Sequence, residues 1–135
     1  MIYQYQEITP KISRPIVSII LKHKDKFIFY DGLIDSGADY CIFNIELAQT
    51  LGIKLSKSKV SFKGVGKGKV RGFWGEVEIR IAGATYKTTA IFAEISDFGH
   101  GILGQKGFFD HFDVKFSYQQ EIIDIKYIEE LKNAN

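Results

Sequence analysis

A single cysteine, two prolines and no long apolar run set the first limits on this 135-residue sequence. With Cys41 alone, no internal disulfide can form, which fits a reducing compartment. The opening segment MIYQYQEITPKISRP holds no continuous apolar stretch of the kind that signals secretion, and no later stretch reaches membrane-spanning length. The expectation is a soluble, cytoplasmic protein with no membrane partner. Charge of one sign is scarce too: 18 basic against 16 acidic residues leave a formal +2, which demands neither a nucleic acid nor an anionic surface as partner. Repeats, low-complexity tracts and linkers are absent, and the length suits one domain with a core of its own.

What is abundant points to strands. Phe occurs 11 times and Tyr 7 times among many Ile and Val, and 13 Gly supply the turns. Apolar runs from Arg14 to Leu21 and from Lys26 to Ile34 flank the polar KHKDK and predict a hairpin that feeds into Asp35. Asn44 is placed to cap a short helix, Ile45 to Leu51, whose Ile45, Leu47, Ala48 and Leu51 share one face; Gly52 would end it. Further on, Val77, Ile79 and Ile81 alternate with Glu76, Glu78 and Arg80, a strand with one face inward, and Ala82 to Ala84 form the next turn. Ile102 and Leu103 read as a brief strand, Gln105 to His111 as a second short helix, and Asp113 to Phe116 with Glu121 to Ile125 as a strand pair joined by SYQQ. The closing KYIEELKNAN reads as a frayed helix or a partner-binding tail.

Asp35-Ser36-Gly37 taken alone is a weak signal, because the same residues describe an ordinary Asx-turn. Its flanks are the unusual part. GLID leads into it and YCIF follows within three residues, and a carboxylate enclosed by such neighbours is costly unless something shares its charge or proton. The Gly-rich stretch Gly64-Val65-Gly66-Lys67-Gly68 lacks the Ser or Thr after Gly-Lys, and the helix, that a phosphate loop requires. Strand pattern follows it instead.

Three segments in order, LIDSGAD, KGVGKG and GILGQKGFF, together resemble the retropepsin-type aspartic proteases, from about Arg14 to Ile125. The resemblance implies a mostly β, closed single-domain acid-protease barrel with one or two short helices, forming a two-fold homodimer. It divides the chain into an N-terminal extension (1–13), the protease domain (14–125) and a C-terminal tail (126–135). Asp35 would be the catalytic residue, paired with its counterpart in a second copy; two carboxyl groups so close share one proton, one acting as base and the other as acid. Ser36 and Gly37 would support the loop, Ser36 by a hydrogen bond across the dimer. Gly37, Ala38, Asp39 and the flap residues Gly64, Val65 and Gly66 would bind substrate, and Ile102, Leu103, Gly104 and Gln105 would back the acidic loop. Viral members often carry Arg where Gln105 stands; Gln105 is expected to hydrogen-bond Asp39 without opposite charge. The partners implied are a second copy and a peptide or unfolded protein, with no metal, cofactor or nucleic acid.

Other conspicuous residues take plainer readings. Phe73 and Trp74 suit packing, His100 and His111 with Asp97 and Asp110 match no zinc spacing, and Lys63, Lys67, Lys69 and Arg71 suit a solvated hairpin. Cys41 reads as a small core residue, not a nucleophile. The alternative function is a catalytically inactive peptide-binding or assembly module on the same fold; single-stranded nucleic-acid binding is weaker, given the near-balanced charge.

Overall fold

A computed structural model describes residues 1–63 and 68–129. The chain is mostly β. Strands β1 (Ile2–Gln4), β2 (Gln6–Thr9) and β3 (Ile12–Arg14) are followed by β4 (Ile16–His23), β5 (Lys26–Ile34), β6 (Ile42–Asn44) and helix α1 (Ile45–Leu51). Then come β7 (Lys59–Lys63), β8 (Lys69–Ile81), β9 (Ala84–Ala93), a 3-10 turn at Ser96–Phe98, β10 (Gly101–Leu103), β11 (Phe112–Ser117) and β12 (Ile122–Tyr127).

Seven strands make the main sheet, in the order β4-β5-β10-β6-β9-β8-β7, and β4 also pairs with β8 through Ile20↔Arg80 to Lys22↔Glu78. The pairings are antiparallel except β10 with β5 and β6 with β9. Residues 1–14 are strand-bearing. β1 lies beside β12, and the Met1 amino group donates to the Ile125 carbonyl at 2.8 Å; β2 and β3 form a small hairpin. β12 runs on through Lys126 and Tyr127, and residues 130–135 lie outside the described part.

Local rules explain most elements. The Asn44 side chain accepts from the Glu46 N–H at 3.2 Å, and Gly52 closes α1 at φ 74°, a left-handed conformation that costs glycine little. Along β8, Val77, Ile79 and Ile81 are buried while Glu76 and Arg80 face water, as the alternation predicts. The β8–β9 turn is two residues, Ala82 (φ 54°) and Gly83 (φ 78°), both left-handed, as a tight hairpin turn of matching twist requires.

Two expectations need correction. The β4–β5 hairpin starts at Ile16 and runs to His23, with only Lys24 and Asp25 at its tip. Pro15 has no N–H to give to the ladder, so Arg14 ends β3 instead. Gln105 to His111 is no helix. Gly107 sits at φ 104°, and the Phe109 and Asp110 N–H groups reach back to the carbonyls of Gly104 (3.1 Å) and Gln105 (3.0 Å), five residues away, in a wide turn. The segment's own backbone is diverted: Lys106 bridges to Tyr40, and the Gly107 N–H is taken by Asp110 Oδ1 at 3.0 Å.

Apolar side chains gather in two clusters. The larger includes Leu21, Phe43, Leu51, Ile79, Phe92, Leu103 and Phe108, each at most 2 % exposed. The smaller centres on Ile42, Ile91, Ala93 and Ile95, with Tyr40, Val60, Phe62, Trp74, Phe98 and Ile102 half-buried around it. Among the described residues no helix is long and apolar enough to cross a membrane.

Candidate active site

Asp35 is the first residue beyond β5, and it is held there by the strand next door. β10 runs parallel to β5, with Ile102 opposite Leu33 and Leu103 opposite Ile34, so the Asp35 N–H donates to the Leu103 carbonyl at 3.0 Å. The chain then turns at once: the Gly37 N–H donates to Asp35 Oδ1 (2.9 Å) and the Ala38 N–H to the Asp35 carbonyl (3.2 Å), an Asx-turn. A Cβ at Gly37 would lie 3.2 Å from Asp35 Oδ1.

The two acidic-loop and glycine segments predicted from sequence do meet. The Gln105 N–H donates to the Ala38 carbonyl (2.8 Å) and the Lys106 N–H to that of Asp39 (2.9 Å). Gly104 makes this closeness possible, since a Cβ there would overlap the Tyr40 carbonyl and come within 2.7 Å of that of Ala38. The Gln105 side chain goes elsewhere than expected: its amide donates to the Ser36 carbonyl at 2.8 Å, not to Asp39. Ser36 Oγ has no hydrogen-bond partner among the described residues, and Ser36, Gly37 and Asp39 are exposed.

The apolar flanks of Asp35 do not enclose it. Ile34, Cys41 and Phe43 are buried in the main core, whereas Asp35 is half-buried at the floor of a cavity of about 330 Å³. Alternation along a strand sends neighbours to opposite faces, so a loop with apolar surroundings in sequence can present its carboxylate to open space. Ala38, Asp39 and Ile102 also line the cavity, while Leu103 and Gly104 lie behind it. The proposed flap tip, Gly64, Val65 and Gly66, lies outside the described residues.

Sequence reasoning missed much of the wall. Tyr40, Ile42, Val60, Phe62, Ile91 and Phe98 all line the cavity. The alternation of Val60 and Phe62 leading into the Gly-rich turn was a usable signal for two of them; nothing local marks Phe98, which arrives on the 3-10 turn. Tyr40 is braced edge-on by Trp74, with ring centroids 4.9 Å apart, so Trp74 packs as expected.

Nearby reactive groups are otherwise engaged. Burial pushes the Cys41 thiol up to about 12, which keeps it protonated and inert. His100 Nδ1 lies 2.8 Å from the Gly101 carbonyl, and His111 stacks on Tyr86 at 4.2 Å. The Tyr86 phenol, raised by burial, stays neutral and donates to the Gly107 carbonyl at 2.7 Å, pinning the wide turn behind the site.

The sequence pattern of the aspartyl protease family matches residues 23–106, which spans both the Asp35 loop and the Gly104 segment. The chain belongs to the aspartyl protease family. No curated protein matches this family member. Among solved structures, the retroviral protease-like domain of Ddi1 from Leishmania major resembles it with a TM-score of 0.57 at 17% identity, over 86% of this chain and 90% of that one. A retropepsin-like aspartic protease from Rickettsia conorii gives 0.51 at 18%, over 83% and 92%. EIAV protease in complex with the inhibitor HBY-793 gives 0.50 at 24%, over 73% and 88%. At these identities the likeness concerns the fold, and the fold of this aspartyl protease family member is retropepsin-like.

Proposed function

We propose that the protein is an aspartic endopeptidase that hydrolyses peptide bonds in extended polypeptides, acting as a homodimer in which two copies of Asp35 meet. The observation that carries this reading is one half-buried carboxylate at a strand end, on the floor of an apolar-walled cavity, in a loop fastened from behind by the Leu103–Lys106 segment. The exposed Ser36 and Gly37 at the tip of that loop are the surface a second copy would cover. The pairing of β4 with β8 supports the closed barrel such a dimer needs.

In the dimer the two carboxyl groups hold one proton between them. The ionised one takes a proton from a water molecule as its oxygen attacks the scissile carbonyl carbon; the protonated one gives its proton to the carbonyl oxygen. The tetrahedral diol then collapses. Its C–N bond breaks, the nitrogen is protonated, and water has been added across the peptide to give an acid and an amine. Ser36 would tie the paired loops together, Gly37, Ala38 and Asp39 would hold substrate main chain, and the flap residues Gly64, Val65 and Gly66 would close over it.

Asp35→Asn keeps the shape and removes the ionisable oxygen. The expected result is a loss of about a hundredfold or more in hydrolysis of an unfolded protein at mildly acidic pH. A variant as fast as the parent would sink the assignment. Equilibrium sedimentation supplies an independent check: a monomer at every concentration and pH cannot assemble the pair, and would leave the inactive peptide-binding module as the reading.

A further inference from the structure

The carboxylate of Asp39 takes no part in the proton transfers of hydrolysis, and holding substrate main chain uses only part of its accepting capacity. Its backbone carbonyl is used, accepting from the Lys106 N–H at 2.9 Å, but no hydrogen bond or ion pair among the described residues holds its carboxylate. That carboxylate is exposed and lines the same cavity as Asp35. The nearby Gln105 spends its amide on the Ser36 carbonyl at 2.8 Å, and Lys106 makes no ion pair among the described residues. Asp35 differs, because its Oδ1 already accepts the Gly37 N–H and it is half-buried.

The cavity wall beside this charge is largely apolar, built from Ile42, Ile91 and Ile102 of the sheet, Phe62 of β7 and Phe98 of the 3-10 turn. An apolar wall with an unanswered negative charge is complementary to a side chain that is aliphatic along its length and cationic at its tip. From this geometry we propose that Asp39 selects a lysine or arginine side chain of the bound polypeptide, the aliphatic stem lying on the apolar wall and the cationic head meeting the carboxylate. A carboxylate accepts several hydrogen bonds at once, so a cation on one oxygen leaves room for a main-chain N–H on the other. The inference rests on reading the cavity as a peptide cleft; it adds a class of substrate to that reading. An acidic side chain at the same place is repelled, and an apolar one of equal length gains the wall contact alone.

The test separates selection from hydrolysis. Peptides identical except for Lys, norleucine or Glu, placed in turn at each position, are titrated into the full-length Asp35→Asn protein. At one position Lys should bind about fivefold tighter than norleucine at low salt, with Glu weakest, and the margin should shrink as salt rises. Asp39→Asn on the same background, isosteric and exposed, should erase the preference. Asp39→Lys should turn it towards Glu, which a merely structural role would not do. Equal binding of Lys and norleucine at every position, a Lys preference that survives Asp39→Asn, or no binding of any peptide overturns the proposal. Cleavage by the protein with Asp35 intact is read separately. Selective binding without hydrolysis sinks the endopeptidase and leaves Asp39 selection standing, whereas hydrolysis of all three peptides at equal rates sinks the selection alone.

Discussion

The two apolar clusters are built from the same short strands, yet one is sealed and the other stands open. Phe43, Phe92 and Leu103 enter the main core, while their immediate neighbours Ile42, Ile91 and Ile102 belong to the cluster beside Asp35. Each of β6, β9 and β10 therefore offers one face to the fold and the other to the cavity. The difference lies in what covers each face. The main face is closed by β4, β8, α1 and Phe108, whereas among the described residues the second is met by β7, Val70 and Trp74 of β8, the 3-10 turn and Tyr40, which leave about 330 Å³ next to a carboxylate. On the proposed reading, stability and binding fall to opposite sides of one sheet, and substitutions should sort accordingly.

The largest effect is expected at Phe92. Phe92→Ala should lower unfolding free energy by about 3–5 kcal/mol in urea titration, because a fully buried ring leaves a cavity that the surrounding strands cannot fill. If it costs under about 1 kcal/mol, the main face is not the stabilising one. A sharper contrast comes from the adjacent pair on β10. Leu103→Ala should cost about 2–5 kcal/mol, and the half-buried Ile102→Ala distinctly less, about 1 kcal/mol, while weakening peptide binding more than Leu103→Ala does per folded molecule. Equal losses of stability, with binding unchanged in both, would dissolve the distinction between the faces.

Cys41 probes the sealed side by pH. Its thiol is raised from 9.0 to about 12 by burial, so above pH 9 the unfolded chain gives up a proton that the folded chain keeps. This contribution to stability is whole below about pH 9 and falls by about 1.4 kcal/mol per pH unit as the pH climbs towards 12. Cys41→Ala should remove that slope in denaturant titrations between these limits; a slope unchanged by the substitution would mean that the thiol is not sealed. The smallest effect is a control on neither face. Ala82→Gly relieves a left-handed alanine at φ 54° and should change stability by no more than about 1 kcal/mol, in the stabilising direction, with peptide binding untouched.

The parts of the fold legible from sequence were those fixed by near neighbours. The Asn44 and Gly52 caps marked both ends of α1, and the period of two in β8 gave its buried face. The Gln105–His111 turn is not legible locally, because the forces that shape it, Tyr40 opposite Lys106 and the bond from Tyr86 to Gly107, come from residues far away in the chain. The same reason hid the open placement of Asp35. Apolar residues on both sides of it suggest enclosure, but strand alternation turns Ile34, Cys41 and Phe43 into the core and leaves Tyr40 and Ile42 on the wall of the same open cavity.

By itself the sequence determined the caps, the alternating strands, the identity of the acidic loop and its glycine partner, because each is written in residues within a few positions of one another. Only the tertiary structure decided that Gln105 serves Ser36, 69 residues away, and leaves Asp39 without a partner among the described residues, and that Phe62 and Phe98 line the same cavity. Such outcomes depend on which groups compete for the same partner once the chain has closed. Distance in space, which sequence does not carry, settles that competition.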